Sequence, residues 1–264
     1  MAKLFSDLST EERLLFSYRR SYACQALAIV KTICNEHGIN YLLLAGSCLG
    51  AVRNQGMIPW DEDIDIGFQL SDYEEFRKVA IVEFPKHGFE FRDWRSTSPI
   101  PRRYGKVIRD GQGLVDCFRL VPFPDGEVKQ KIVWAKRKLL NAVFIRKVGY
   151  TVIDGQEKLS TKLKSLALLP LKTFLSRERV EKLMDDLENE TIESPYLINL
   201  YSVYPMKKEI LQRDWVHSTI DVLFEGDSYP IPNDYNAYLS NIYGDYMTPP
   251  PEDKQFVQHL WNIY

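Results

Sequence analysis

The sequence predicts an α/β (α+β) protein: a mixed sheet with flanking helices and a helical, basic appendage. Three observations carry that reading. Helical patterns with caps alternate with short β-branched runs along the first 125 residues. An acidic run, Trp60-Asp61-Glu62-Asp63-Ile64-Asp65-Ile66-Gly67-Phe68, passes directly into an apolar strand. From Val128 to Arg177 twelve basic residues face only Asp154 and Glu157, a local balance of +10 in a chain of net charge −2.

The elements follow in order. Ser9 and Glu12 form a capping box, and Leu15, Tyr22, Ala26, Ile29 and Ile33 recur at helical spacing until Gly38 ends the helix. Tyr41 to Ala45 reads as a buried strand that opens into a tight loop at Gly46-Ser47. Leu49 to Arg53 reads as a short helix, and Gly56 to Pro59 as a turn delivering the acidic strand. In an extended chain side chains alternate, so Asp61, Asp63 and Asp65 share one face while Ile64, Ile66 and Phe68 share the other. A second helix is expected from Ser71, with Glu74 completing another capping box and Tyr73, Phe76, Val79 and Ala80 inward. Tyr104 to Arg109 and Leu114 to Phe118 then flank a hairpin turn at Gly111-Gln112-Gly113.

At 264 residues the chain divides on paper into a catalytic core over 1–125, a basic helical insertion over 126–180, and a C-terminal part over 181–264 that packs back on the core. Cys24, Cys34, Cys48 and Cys117 lack metal-type spacing and read as reduced thiols. No export signal is visible, and no apolar stretch approaches the roughly 20 residues that span a bilayer. The expected location is cytoplasmic, with peripheral contact on the inner face of the membrane as an extension.

Clustered carboxylates repel one another unless a cation sits among them, and hard oxygen donors favour Mg²⁺. Asp116, lodged between Val115 and Cys117, is a second acid that needs a cation, a donor or water. Gly46-Ser47 suits a backbone approach to phosphate. Together these residues point to metal-assisted phosphoryl or nucleotidyl transfer.

The order Gly-Ser, paired acids and a later strand acid resembles the nucleotidyltransferase superfamily. More closely, Ala45-Gly46-Ser47-Cys48-Leu49-Gly50-Ala51-Val52-Arg53 through Ile58-Pro59-Trp60 and the acidic run resembles the LicD family of bacterial phosphocholine transferases, to which fukutin-related proteins are distant kin. A weaker block, Tyr229-Pro230-Ile231-Pro232 through Tyr243-Gly244-Asp245-Tyr246-Met247, is similar to that family's C-terminal motif. The resemblance implies transfer of a phospho-alcohol group, typically phosphocholine from CDP-choline, to a hydroxyl of a cell-surface glycan precursor such as teichoic acid, lipopolysaccharide or capsule, with ethanolamine, glycerol and ribitol as the other alcohols left open. The acceptor in that scheme is a glycan or a lipid-linked glycan, and the alternative class is a nucleotidyltransferase acting on a protein, nucleotide or RNA.

By resemblance Asp63 and Asp65 bind metal, with Asp61 as a further ligand or a supporting acid. Two Mg²⁺ ions are implied, with Mn²⁺ as the substitute. Asp116 matches the third acid and holds metal or accepts the proton of the attacking hydroxyl. Gly46, Ser47, Arg53, Lys106 and Arg109 are the substrate-binding candidates, the cations facing the diphosphate. For the basic stretch 128–177, whose Ile132, Val133, Trp134, Leu139, Leu140, Val143, Phe144 and Ile145 interleave with Lys136, Arg137, Lys138, Arg146 and Lys147, two readings stand: a solvated helical face, or a surface for anionic membrane. Nucleic acid ranks last as a partner, because the chain as a whole is not basic.

Overall fold

The computed structural model describes residues 2–100, 102–147, 174–189, 194–202 and 204–257. Strand β1 (Lys3–Leu4) precedes helix α1 (Thr10–His37). The Ser9–Glu12 capping box is complete, and Gly38 closes the helix in the left-handed region at φ 64°. Its inward stripe is Ala23, Ala26, Leu27, Val30 and Ile33, whereas Leu15, Tyr22 and Ile29 lie at its margin.

The expected strand Tyr41–Ala45 contracts to β2 (Leu42–Leu43), and helix α2 (Ala45–Asn54) starts four residues before the expected Leu49. Gly46 and Ser47 therefore occupy the first turn of a helix rather than a loop. Ala45 starts that turn at φ 43°, a conformation disfavoured for a residue with a Cβ. Strand β3 (Ile64–Gln69) begins after Asp61–Asp63, which belong to the approaching loop. Ile64, Ile66 and Phe68 are fully buried, as the alternation requires. Helix α3 (Leu70–Lys86) has Gln69 at its N-cap with no side-chain cap. The expected Ser71–Glu74 box does not form, because the helix starts two residues earlier than a cap at Ser71 requires, and Glu74 pairs with Arg95 at 2.8 Å.

Strands β4 (Glu90–Arg92), β5 (Gly105–Arg109) and β6 (Gln112–Phe123) complete the central sheet with β2 and β3 in the order β2-β3-β6-β5-β4. The β5–β6 turn is Asp110-Gly111, both at positive φ, one step earlier than expected. Strands β3 and β6 run parallel, and the other pairs are antiparallel. Helix α4 (Glu127–Lys147) and α5 (Arg177–Glu188) pack on each other, and residues 148–173 of the basic segment lie outside the described residues.

Strand β7 (Tyr196–Asn199), short helix α6 (Met206–Glu209) and β8 (Ile210–Gln212) follow, with β7 joining the sheet through β6. After α7 (Arg213–His217), a hairpin of β9 (Thr219–Phe224) and β10 (Asp227–Pro232) packs beside β2 and α2. Helix α8 (Tyr235–Tyr243) then rests on α2, and β11 (Phe256–Val257) pairs with β1. One continuous apolar core joins α1, α3, the central sheet and this C-terminal hairpin.

Candidate active site

The sheet register builds the site. Asp65 on β3 pairs with Asp116 on β6, and Asp116 pairs with Lys106 on β5. Cross-strand partners project to the same face, so an acid, an acid and an amine form a row over three adjacent strands. Lys106 is 2% exposed and makes an ion pair with Asp116, itself 7% exposed. Asp61 and Asp63 approach the same face from the loop before β3, and both line the cavity above the row.

That loop is held from behind by two consecutive arginines of α1. The buried Arg19 donates to the Glu62 carbonyl at 3.3 Å and to the Gly113 carbonyl at 2.7 Å, tying the acidic loop to the start of β6. Arg20 donates to the carbonyls of Ile58 and Asp61 at 2.7 and 3.0 Å. The Asp61 carboxylate lies so close to the start of α2 that a Cβ on Gly46 would stand 2.8 Å from its Oδ2. Gly46 is the residue that lets the acid sit there.

Ser47 has a different place from the expected one. It is buried, does not line the cavity, and its Oγ accepts from the Asp65 backbone N–H at 2.8 Å. It braces the acidic strand rather than reaching a substrate. Arg109 is also away from the site: three residues beyond Lys106 on β5 it falls on the opposite face, where its guanidinium lies over the rings of Tyr22 and Phe89, at 4.1 and 5.1 Å. Arg53 does line the cavity, and donates to the Tyr246 carbonyl at 3.0 Å. Gly46, Arg53, Lys106, Asp61, Asp63, Asp65 and Asp116 are thus brought together, and Ser47 and Arg109 are not.

The cavity has a volume of about 760 Å³. The C-terminal block supplies its far wall with Tyr243, Asp245 and Tyr246, and Tyr238 accepts from the Ala45 N–H at 2.9 Å. Tyr204 and Tyr243 meet edge to face with ring centroids 6.0 Å apart and hydroxyls at 3.2 Å. Glu209 also lines the cavity, 8% exposed, with the Ser202 hydroxyl donating to it. Residue pattern alone does not reveal Glu209, since Lys207-Lys208-Glu209 reads as a charged surface turn. Arg19 carried a signal: it falls on the buried stripe of α1, where a charge needs partners.

Electrostatics mark the acids as strained. Burial, then the charges of Asp63, Asp116 and Asp61, push the Asp65 carboxyl far above the usual range, with Lys106 pulling the other way. Burial first and Asp63 second push Asp61 up to about 8. Burial raises Glu209 to about 7. The acid set is all hard oxygen and short of positive charge, which is the donor chemistry that suits Mg²⁺ or Mn²⁺. Among the described residues no three acid, histidine or cysteine side chains already converge as a ready ligand group, so metal binding would require the carboxylates to draw inward.

The comparisons with known proteins fall on this same region. Residues 38–136 match the model of the LicD/FKTN/FKRP nucleotidyltransferase domain. These residues are similar to a LicD-type nucleotidyltransferase domain. The matched stretch carries every acid of the row and loop together with Gly46, Arg53 and Lys106. Over 253 residues, 88% of this chain and 91% of the relative, the chain is 26% identical to the lipopolysaccharide cholinephosphotransferase LicD of Haemophilus influenzae. It is 29% identical over 103 residues to the mouse ribitol-5-phosphate transferase FKTN, covering 39% of this chain and 19% of that protein. Over 35 residues, 13% of this chain and 7% of that protein, it is 51% identical to human ribitol 5-phosphate transferase FKRP. The similarity to the bacterial relative thus runs over most of both chains, and the similarities to the animal proteins over shorter blocks of much longer chains.

Proposed function

We propose that this protein transfers a phospho-alcohol group, phosphocholine from CDP-choline, to a hydroxyl of a cell-surface glycan precursor, with Mg²⁺ held by Asp63, Asp65 and Asp116 and by Asp61 as a ligand or support. The observation that carries the reading is the Asp65–Asp116–Lys106 row at the floor of a tyrosine-walled cavity. Bound there, Mg²⁺ would neutralise charge on the donor diphosphate and on the leaving nucleotide.

The chain's own residues divide the remaining work. Arg53, tethered to Tyr246, presents its guanidinium to a phosphate oxygen. Asp116, ion-paired with Lys106, is the carboxylate that accepts the proton of the attacking hydroxyl. The hydroxyl oxygen then bonds to phosphorus as the bond from phosphorus to the nucleotide's phosphate oxygen breaks, releasing CMP. Ser47 and Arg19 act only by holding the acidic strand and loop in register.

Two features support a cationic alcohol. The cavity is lined by Tyr201, Tyr204, Tyr238 and Tyr243, and aromatic side chains favour a quaternary ammonium. Glu209 adds a carboxyl to the same lining, and a quaternary ammonium beside it would favour its ionised form, as a neutral polyol would not. The test is release of CMP from CDP-choline with Mg²⁺ and a glycan acceptor, run beside CDP-ribitol and the nucleoside triphosphates. Release that is lost in Asp63→Ala and Asp65→Ala supports the reading. Preference for CDP-ribitol would replace the alcohol, and nucleotide transfer from a triphosphate would replace the reaction class.

A further inference from the structure

Helix α4 does not have the single greasy face and single charged face that its composition suggests. Its apolar residues divide: Val143 and Phe144 are buried, with Val133, Trp134 and Leu140 packed against the core. A second set faces out: Val128 is 72% exposed, Ile132 49% and Leu139 45%, with Ala135 exposed between them. The spacing of 128, 132, 135 and 139 is a helical stripe, and at about 100° per residue the four fall within an arc of roughly 60°. Lys129 and Lys136 flank the stripe on one side, and Lys131 and Lys138 on the other, all exposed. Arg137, expected among the surface cations, lies opposite the stripe and is buried, its guanidinium over the rings of Trp134 and Tyr201 at 4.7 and 5.3 Å.

We infer that the exposed stripe of α4 docks on the surface of an anionic lipid bilayer, with Val128, Ile132 and Leu139 entering the interface and the flanking lysines meeting lipid headgroups. Charge complementarity selects this occupant. A protein groove would be matched by an apolar face of any charge, whereas an apolar stripe bordered on both edges by lysine is the pattern of a helix lying in a membrane interface. Glu127, the acid at the start of the helix, is itself engaged by Lys131 at 3.0 Å and Lys207 at 3.8 Å, so it adds little opposing charge. No described helix is long and apolar enough to cross a membrane, so the contact is peripheral.

The placement has a consequence for the cavity. Tyr201 lines it and Arg137 of α4 rests on Tyr201, so the docked face and the cavity wall are separated by about the 10 Å width of one helix. A chain held this way meets acceptors that are themselves anchored in the bilayer.

Co-sedimentation of the full chain with vesicles tests the inference without any donor or turnover, so it stands or falls apart from the transfer reaction. Mixed phosphatidylcholine and phosphatidylglycerol vesicles at low salt should pellet the protein, and pure phosphatidylcholine vesicles should not. Ile132→Glu with Leu139→Glu should weaken binding by about tenfold or more, as should Lys136→Glu with Lys138→Glu, and about 0.5 M salt should reverse it. All four positions are exposed, and circular dichroism checks that each variant folds. Absence of binding overturns the proposal. So does binding that Ile132→Glu with Leu139→Glu leaves intact, or a concentration-dependent dimer in solution that the same pair abolishes, which would assign the stripe to a second copy.

Discussion

Asp65 gathers the forces that shape the site. Its carboxyl is desolvated and faces three like charges, relieved chiefly by Lys106, so its ionised form is costly in the folded protein. Removing that charge should relieve the protein while disabling it. Asp65→Asn is expected to melt no lower than the parent in the absence of divalent ions, while CMP release falls about 10³-fold, close to 4 kcal/mol of barrier. A variant that loses stability and activity together would mean that Asp65 acts by packing. Glu209 gives a second test at this scale, through pH. Its folded carboxyl is raised to about 7 from an ordinary 4.5, so the folded chain holds that proton more tightly than the unfolded one. Stability from this group is therefore full below pH about 4.5 and is lost as the pH rises to about 7, by up to about 3 kcal/mol. Unfolding titrations across that window should show the decline in the parent, and a flatter profile in Glu209→Gln.

Among the elements, α1 and α2 act as the frame against which the acidic loop is set. The loop carbonyls are taken by Arg19 and Arg20, and Ser47 of α2 takes the Asp65 N–H. Ser47→Ala should cost about 1 kcal/mol of stability, as loss of one acceptor for a buried donor, and lower the turnover rate more than it changes donor affinity. A rise in KM at constant kcat would instead put Ser47 in contact with substrate. Gly50 is the tighter joint. A Cβ there would lie 2.4 Å from the Gly56 carbonyl oxygen, and backbone cannot swing aside, so Gly50→Ala should destabilise by about 1–3 kcal/mol in denaturant unfolding. These joints explain what was legible in the chain. Helix α1 was readable because its capping box and Gly38 are local signals, and β3 because alternation around Asp65 is written in consecutive residues. The start of α2 was not, since Ala45 adopts a left-handed φ that no local rule requires and that the surrounding contacts impose. Glu74 was misread as a cap because its partner Arg95 lies 21 residues away. Arg109 stands three residues from Lys106 on β5, and an odd separation along a strand puts two side chains on opposite faces, so its place away from the acids was legible in the spacing.

At the scale of the whole molecule, the sheet and the helices beyond it are joined by a buried ionic knot. Arg103 is 0% exposed and Arg119 4%, and both reach Glu188 at the end of α5, which is 0% exposed. The Tyr201 hydroxyl donates to the same carboxylate, so the knot also fixes a wall of the cavity. Trp94 lies under both guanidiniums, with Arg103 at 4.6 Å and Arg119 at 4.8 Å from its ring centroid. Such a cluster need not stabilise more than apolar packing would, but removing its central charge leaves two cations desolvated with less to balance them. Glu188→Gln keeps the shape and removes the charge, and is expected to cost about 3–5 kcal/mol in denaturant unfolding. Tyr201→Phe removes only a donor and should cost about 1 kcal/mol. Because the knot is shared, the double variant should fall short of the sum of the two, as expected for groups in contact. Additive losses would show that Tyr201 and Glu188 are independent, and the cavity wall would then owe nothing to the ions behind it.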